Sequence, residues 1–210
     1  MQVFFQLCDW RFDIIFDKIA GRGRNMGADR RGGCMIVVEA AVEEDLNRIL
    51  EIEYEAITPP WTHGALLSEI YRDDSFVAVA RRIADGSGFG AEAAQPSGCV
   101  VISKESSPLM HGFIILRKTS EDEGELLQIA VDAAARRCGV ADLLMSAALS
   151  HASENSIESV FLEVRKGNEP AISLYKKHGF SAVRIRKDYY SSPAEDALIM
   201  AWPDKHSDMV

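Results

Sequence analysis

One strand-like segment, residues 159–165, carries an ionisable side chain in the middle of an apolar pattern. Its period-two alternation puts valine and leucine side chains on one face and Phe161, Glu163 and Arg165 on the other. A carboxylate in mid-strand can accept a proton from a bound substrate when its face borders a reaction site. Glu163 is therefore a candidate general base. The alternative is a solvated sheet face on which Glu163 pairs with Arg165.

A second candidate lies at residues 136–141, between the end of a strand pattern and the start of a helix. Backbone amides at the beginning of a helix have no helical acceptor and carry the positive end of the helix dipole. Gly139 permits close approach to the backbone, and Arg136 and Arg137 add positive charge. The segment predicts an anion site. The alternative is an ordinary turn with exposed arginines, since short glycine loops are weak signals.

A third candidate lies on the helix that follows residues 159–165. Asn168 is the predicted N-cap of this helix, and Pro170 stands in its first turn. Asn168, Ala171 and Tyr175 share one face by helical spacing. Tyr175 on its own is typical of core packing, so its chemistry depends on the other two elements.

These candidates are positioned by an alternation of strands and helices that begins at Met35. The hydrophobic pattern predicts helices at 43–57, 63–71, 141–152 and 169–178. The apolar face of the first helix is predicted to hold Leu46, Ile49, Leu50 and Tyr54. Strands are predicted at 35–40, 75–81, 112–117, 125–131, 159–165, 180–186 and 197–202. The order of elements predicts an α/β fold.

Composition limits the classes of protein to which the chain can belong. The 210 residues are 47% hydrophobic and 26% charged, and they contain no run of eighteen apolar residues that could cross a bilayer. A net charge of −9 disfavours a nucleic-acid partner and favours a basic one. The four cysteines and five histidines are scattered without metal-ligand spacing. We therefore predict no metal, no membrane partner and a reduced, cytoplasmic chain.

Composition also divides the chain into parts. Residues 1–34 contain apolar residues interrupted by charges and then a Gly- and Arg-rich stretch, so we predict an N-terminal extension outside the native start. Met35 is the predicted functional start of one domain at 35–203, which residues 204–210 follow as a tail. The Ala- and Gly-rich stretch at 84–98 is predicted to be a flexible insertion in that domain.

Together these segments resemble the GNAT N-acetyltransferases, and within them the bacterial ribosomal-protein-alanine N-acetyltransferases of the RimI type. The resemblance covers residues 35–203 apart from the insertion, and the spacing between 129 and 190 matches without a gap. It is carried by Ile129-Ala130-Val131-Asp132, Arg136-x-x-Gly139-x-Ala141, Leu162-Glu163-Val164-Arg165, Asn168, Ala171-Ile172, Leu174-Tyr175, Gly179-Phe180, Asp188-Tyr189-Tyr190 and Glu195-Asp196-Ala197, and more weakly by Pro60-Trp61.

The resemblance implies the GNAT fold, with acetyl-CoA as co-substrate. In that fold a mixed, mostly antiparallel central sheet is splayed at the acetyl-CoA site and flanked by about four helices. The pantetheine arm is then expected along the backbone of Ile129, Ala130 and Val131, with Asn168 on its far side. The pyrophosphate is expected at a loop and helix start formed by Arg136, Arg137, Cys138, Gly139, Val140 and Ala141.

The sequence departs from the family near this helix start. Ala141 replaces a second glycine, and Asp142 occupies a position that is often basic in relatives. A carboxylate at Asp142 would repel the pyrophosphate unless its side chain turns away. The departure therefore concerns how tightly the co-substrate binds.

The resemblance also implies roles in acetyl transfer. Glu163 would take the proton of the acceptor ammonium, directly or through a water, and Tyr175 would protonate the departing thiolate. Trp61, Tyr189 and Tyr190 would flank the acceptor. The implied acceptor is the N-terminal alanine, on a basic segment, of small-subunit ribosomal protein eighteen. Two alternatives stay open: a GNAT enzyme for other protein N-termini, lysines or small amines, and a non-catalytic acyl-CoA-binding regulator.

Overall fold

The structure is a computed structural model that describes residues 34–57, 59–84 and 109–203. The sequence predictions for the N-terminal extension, the insertion and the C-terminal tail lie outside these residues, apart from strand residues Cys34 and Ala84.

The described residues form seven strands, four helices and two short 3-10 turns. The strands are β1 Cys34–Ala40, β2 Ser75–Ala84, β3 Leu109–Lys118, β4 Glu123–Val131, β5 Ser159–Arg165, β6 Ser181–Ser191 and β7 Ala194–Trp202. The helices are α1 Leu46–Ala56, α2 His63–Tyr71, α3 Val140–Glu154 and α4 Glu169–Lys177. The 3-10 turns are Glu43–Asp45 and Ala133–Ala135. The predicted order of elements is confirmed, although β6 and β7 are longer than predicted.

One sheet has the strand order β1-β2-β3-β4-β5-β7-β6. The pairs β2–β3, β3–β4, β5–β7 and β6–β7 are antiparallel, whereas β4 and β5 are parallel. The β4–β5 ladder holds three pairs and ends at Glu125 and Phe161, after which the two strands diverge. The predicted mixed, mostly antiparallel sheet with a splayed centre is confirmed.

Helices cover both faces of the sheet around the splay. Phe113 and Ile115 of β3 pack with α1 and α2 in one apolar cluster. Gly112 faces the other side, where a Cβ would lie 3.2 Å from Cδ1 of Leu144 in α3 and 2.7 Å from the Ala130 carbonyl. Glycine at this position therefore lets β3, β4 and α3 pack closely.

The buried face of α1 differs from the predicted one. Ile49, Ile52 and Glu53 are buried, whereas Tyr54 is 78% exposed. Placing Tyr54 on the apolar face was wrong, because the buried arc is centred on Ile49 and Glu53 and Tyr54 lies about 100° beyond Glu53. A carboxylate at the centre of the buried face was not predicted.

Candidate active site

The open edge of β4 is the first feature of the candidate site. On one side, Ile129, Ala130 and Val131 pair with β3. On the other side, the ladder with β5 has already ended at Glu125, so within the described ranges the backbone of 129–131 has no strand partner there. Free N–H and C=O groups along a strand edge can bind an extended ligand as an added strand. A cleft of this kind suits an elongated chain such as pantetheine.

The start of α3 is the second feature. The Leu143 amide donates to the Gly139 carbonyl at 3.1 Å, so the amides of 140–142 precede the first hydrogen bond of the helix. Gly139 and Arg137 have φ values of 79° and 65°, and a Cβ at Gly139 would meet no atom within 4 Å. The helix start is therefore open to a ligand, and its amides and dipole favour an anion.

Two side chains beside this helix start have local partners. Nε of Arg136 lies 3.3 Å from the Val131 carbonyl, so Arg136 ties the loop to the end of β4. The exposed thiol of Cys138 lies 3.6 Å from the Arg136 carbonyl. Val140 is buried at the first position of α3. The loop is therefore held in shape mainly by local contacts.

Asp142 turns toward α4. Its Oδ1 accepts from Nζ of Lys177 at 2.7 Å and lies 3.0 Å from Nε2 of His178. Burial opposes ionisation, but the hydrogen bonds from Lys177 and His178 outweigh it and lower the pKa of Asp142. The negative charge next to the predicted anion site is thus partnered by basic groups at the end of α4.

Glu163 is the centre of a polar cluster on the half-buried face of β5. Nη1 of Arg186 donates to Oε1 of Glu163 at 2.5 Å. A hydrogen bond with Glu163, followed by burial, raises the pKa of Tyr189. The Arg186 guanidinium also lies over the Tyr189 ring, 4.9 Å from its centroid. The predicted base is therefore bound by two residues of β6.

Arg165 is not the partner of Glu163, so the alternative pairing on β5 is wrong. Nη1 of Arg165 lies 3.2 Å from Oε2 of Glu195, and its guanidinium also donates to two carbonyl oxygens of the β6–β7 turn. The same guanidinium lies 4.1 Å from the centroid of the Tyr190 ring. The β6–β7 turn offers Arg165 several acceptors at once, whereas Glu163 on β5 would offer it one carboxylate.

Tyr175 and Tyr190 extend the cluster toward α4. Burial, and next the proximity of Tyr190, raises the pKa of Tyr175 to about 12. Burial, and next the charge of Glu163, raises the pKa of Tyr190. We call Glu163, Tyr175, Tyr189 and Tyr190 the tyrosine cluster. The Tyr189 and Tyr190 rings lie 5.0 Å apart beside Glu163, and Tyr175 lies within electrostatic range of Tyr190.

Asn168 and Trp61 have other surroundings. The side-chain oxygen of Asn168 accepts from the Ala171 amide at 3.2 Å, which confirms the predicted N-cap of α4. The backbone N–H of Trp61 donates to Oε1 of Glu53 at 2.8 Å, and its side chain packs against the α1 core. The contacts found for Trp61 in the described ranges do not join it to the tyrosine cluster.

Sequence reasoning missed Arg186, Glu53 and Gln128. Nε2 of Gln128 donates to Oε1 of Glu53 at 2.7 Å inside the core. One signal for Glu53 was present in the sequence: it follows Ile49 by four residues, so it lies on the same side of α1, which packs on the sheet. Arg186 carried no signal, because its contact crosses a strand.

A small cavity lies elsewhere on β5. It has a volume of about 180 Å³ and no ionisable side chain in its lining, so it offers no acid or base. The lining residues are Ser159, Phe161, Ser181, Val183, Ala201, Trp202 and Pro203. In the part of the chain that is described, we find no group of three metal-ligating side chains and no helix long and apolar enough to cross a membrane.

Comparisons with known proteins agree with this architecture. Residues 46–180 match the acetyltransferase (GNAT) family. The [ribosomal protein bS18]-alanine N-acetyltransferase of Haemophilus ducreyi is 31% identical over 79% of this chain and 98% of its own length. The crystal structure of the ribosomal-protein-S18-alanine N-acetyltransferase from Escherichia coli superposes with a TM-score of 0.61 at 25% identity, covering 80% of this chain and 92% of that one.

A third relative is also known from its solved structure. Ard1 from Thermoplasma volcanium superposes with a TM-score of 0.60 at 27% identity, covering 79% of this chain and 95% of that one. The family match spans the open edge of β4, the start of α3 and the strand that carries Glu163. The chain therefore belongs to the acetyltransferase (GNAT) family and is an acetyl-CoA-dependent N-acetyltransferase.

Proposed function

We propose that this enzyme acetylates the N-terminal alanine of a small-subunit ribosomal protein. The observation that carries the proposal is the tyrosine cluster on β5, β6 and α4, beyond the point where the β4–β5 ladder ends: Arg186 holds Glu163, the Tyr189 and Tyr190 rings lie 5.0 Å apart, and Tyr175 is buried on α4. The name of the Haemophilus ducreyi relative, which states this acceptor, supports the choice of substrate.

The chain's own backbone would hold the co-substrate in two places. The unpaired edge at 129–131 suits the amide groups of the pantetheine arm, with Asn168 on the far side. The amides of 137–141, with Arg136 and Arg137 nearby, suit the pyrophosphate. The pairing of Asp142 with α4 supports this site, because it offsets the carboxylate charge beside the helix start.

Glu163 would act as the general base. An amine attacks a thioester only when it is neutral, and an α-ammonium near pKa 7.7–8.0 loses its proton more easily than a lysine near 10.4. At neutral pH the difference is worth about 3.5 kcal/mol. One carboxylate that removes the proton, directly or through a water, therefore suits a protein N-terminus better than a lysine side chain.

Tyr175 would donate to the departing sulfur. Its pKa of about 12 keeps the phenol protonated at every physiological pH. Complete transfer to a thiolate near pKa 8.5 is uphill by about 3.5 units, or about 5 kcal/mol. Tyr175 therefore stabilises the sulfur chiefly as a hydrogen-bond donor while the carbon–sulfur bond breaks.

Charge favours a basic acceptor. Residues 35–210 contain seventeen basic and twenty-eight acidic side chains, a net charge of −11. Such a surface attracts an arginine-rich segment and speeds its encounter with the enzyme. Trp61, Tyr189 and Tyr190 would contact the acceptor, and a cytoplasmic location belongs to the same proposal because the acceptor is a ribosomal protein.

A panel of acceptors with acetyl-CoA tests the proposal. It contains an arginine-rich peptide that begins with alanine, a peptide with a blocked N-terminus and free lysines, and a small polyamine. We expect acetylation of the alanine α-amine, at a rate that falls with added salt because screening weakens the attraction. A peptide with its arginines replaced by glutamines is the control and should react more slowly at low salt.

Mass spectrometry of the products decides between the candidates. An acetyl group mainly on lysine, or a preference for the polyamine, would overturn the proposed acceptor. Acetyl-CoA binding without turnover of any amine would instead favour a non-catalytic regulator.

A further inference from the structure

Three carboxylates among the described residues are buried, and they differ in what neutralises them. Asp45 is bound by Arg81, and Glu69 is bound by Arg117. Glu53 is 0% exposed, and in the described ranges it contacts no basic side chain. A buried carboxylate without a counter-ion destabilises the folded state. Core packing alone therefore does not explain why a glutamate occupies position 53.

Glu53 joins two elements on different sides of the proposed site. Its Oε1 accepts from the Trp61 N–H at 2.8 Å and from Nε2 of Gln128 at 2.7 Å. Trp61 stands in the turn before α2, on the proposed acceptor side. Gln128 stands on β4, one residue before the edge at 129–131 that is proposed for pantetheine. One carboxylate thus links the acceptor side to the co-substrate strand.

The turn at Trp61 depends strongly on this acceptor. Pro59 and Pro60 have no N–H, so Trp61 provides the first backbone donor after them. Thr62 then uses its side chain to cap α2, where it accepts from the Ala65 amide at 3.3 Å. Without Glu53 the Trp61 amide would lose its partner and the turn would lose its link to β4.

Two oxygens in the same place have no hydrogen-bond partner within the described residues. They are Oε2 of Glu53 and Oε1 of Gln128, and both are buried. Apolar residues of similar volume would avoid this penalty and often stabilise a core as well or better. Polar groups kept at such a penalty are expected where a site must hold a fixed geometry.

We propose that Glu53 is a positioning residue for acceptor binding, which fixes Trp61 relative to the part of β4 that holds acetyl-CoA. The inference rests on the proposed function, because it takes Trp61 as an acceptor contact. Glu53 itself touches neither substrate. Its effect is therefore expected on the KM for the acceptor and on the environment of Trp61.

Steady-state kinetics with the best peptide acceptor tests the proposal on three variants, with a fourth as a substitute. Glu53→Ala should raise the acceptor KM tenfold or more, with the acetyl-CoA KM and kcat changed less than threefold. Glu53→Gln keeps an oxygen for both donors and should restore the acceptor KM to within threefold of the parent. Glu69→Ala is the matched control, since it removes a buried carboxylate on α2 and should leave both KM values unchanged. Glu53→Asp is too short to reach both donors, and it replaces Glu53→Ala if that variant does not fold.

Fluorine NMR of protein labelled with 5-fluorotryptophan tests the position of Trp61 without turnover. The chain has three tryptophans, and Trp61→Phe identifies the signal. Glu53→Ala should shift or broaden the Trp61 signal, whereas Glu53→Gln and Glu69→Ala should not. An unmoved signal together with an unchanged acceptor KM would overturn the proposal, as would equal increases in both KM values. If the parent enzyme acetylates no peptide, the proposed function fails, and the Trp61 signal still decides whether Glu53 fixes this residue.

Discussion

Arg186 reaches Glu163 across an intervening strand: its Nη1 lies 2.5 Å from the Glu163 carboxylate, and β7 runs between their strands. Ala197 of β7 pairs in register with both Arg165 and Arg186. Its small side chain leaves room for long ones to cross above it. The proposed base is therefore held by the far strand of the sheet.

Glu163→Gln should slow acetyl transfer by about 10² or more at neutral pH, because the amide cannot take the ammonium proton. Acetyl-CoA binding should stay nearly unchanged. The rate should recover partly as pH rises and the amine loses its proton by itself. Glu125→Gln, a change of the same type on β4, is the control. A parental rate for Glu163→Gln at pH 7 would exclude Glu163 as the base.

Arg186→Gln should lower kcat about tenfold, because the Glu163 carboxylate loses the partner that orients it. Arg186 is half exposed, so the free energy of unfolding should change by less than about 1 kcal/mol. Arg184→Gln, on the same strand, should change neither quantity. Rate measurements at saturating substrates, paired with urea unfolding, check this. A large loss of stability with unchanged kcat would show a purely structural pair.

Tyr175→Phe should slow transfer by about tenfold to a hundredfold while the fold persists, because only the hydroxyl is removed. The raised pKa of Tyr175, about 12, keeps its proton in place over the whole assay range. The parental rate should therefore show no alkaline decline caused by Tyr175 below about pH 11. An alkaline limb near pH 9 that disappears in Tyr175→Phe would contradict this assignment.

Gly139→Asp should abolish the rise in Tm that acetyl-CoA gives the parent protein, because a carboxylate would enter the anion site. Gly139→Asn has nearly the same size without the charge, and asparagine tolerates the positive φ of 79° better than most residues. Gly139→Asn should therefore keep part of the rise in Tm. Thermal denaturation with and without saturating acetyl-CoA measures both. Equal shifts in the two variants would contradict an anion site at this helix start.

Asp142→Asn should lower the free energy of unfolding at neutral pH and make that free energy depend less on pH in the acid range. The pKa of Asp142 is lowered in the folded state, so the ion pairs stabilise the fold above the unfolded value of about 3.9 and are lost as pH falls through the lower folded value. The expected loss at pH 6 is about 1 kcal/mol or less, because Lys177 is exposed. Urea unfolding between pH 6 and 2.5 should show the parent and the variant converging. A difference that grows as pH falls would reverse the assigned sign.

Local signals in the sequence were sufficient to predict helix caps and the alternation of β5. Thr62 and Asn168 cap their helices as their residue types predict, and Gly179 follows α4 with a φ of 85°. The alternation of β5 is also confirmed by its burial. These features depend on neighbours within a few residues, so one segment contains all the information needed.

The partners of the site residues could not be predicted in the same way. Arg186 meets Glu163 across β7, and the register of β6 shifts between Ala182 and Arg184, which places Arg186 rather than Ile185 opposite Ala197. Asp142 contacts Lys177 and His178, thirty-five and thirty-six residues later, at the end of another helix. Each contact depends on packing between elements that no single segment encodes.

β6 is an outer strand of the sheet, and nearly all of its eleven residues are exposed. Among the described residues no strand pairs with its outer edge, and this edge, with exposed Val183 and Ile185, offers a template on which another chain could add a strand. Two register shifts and the charges of Arg184 and Arg186 interrupt that edge. Charged side chains on an edge strand disfavour such pairing, so Arg184 and Arg186 are expected to oppose self-association. Substitutions that remove a charge from β6 should therefore promote aggregation when the protein is concentrated. The activity of such variants must be measured on protein that has just been shown to be monodisperse.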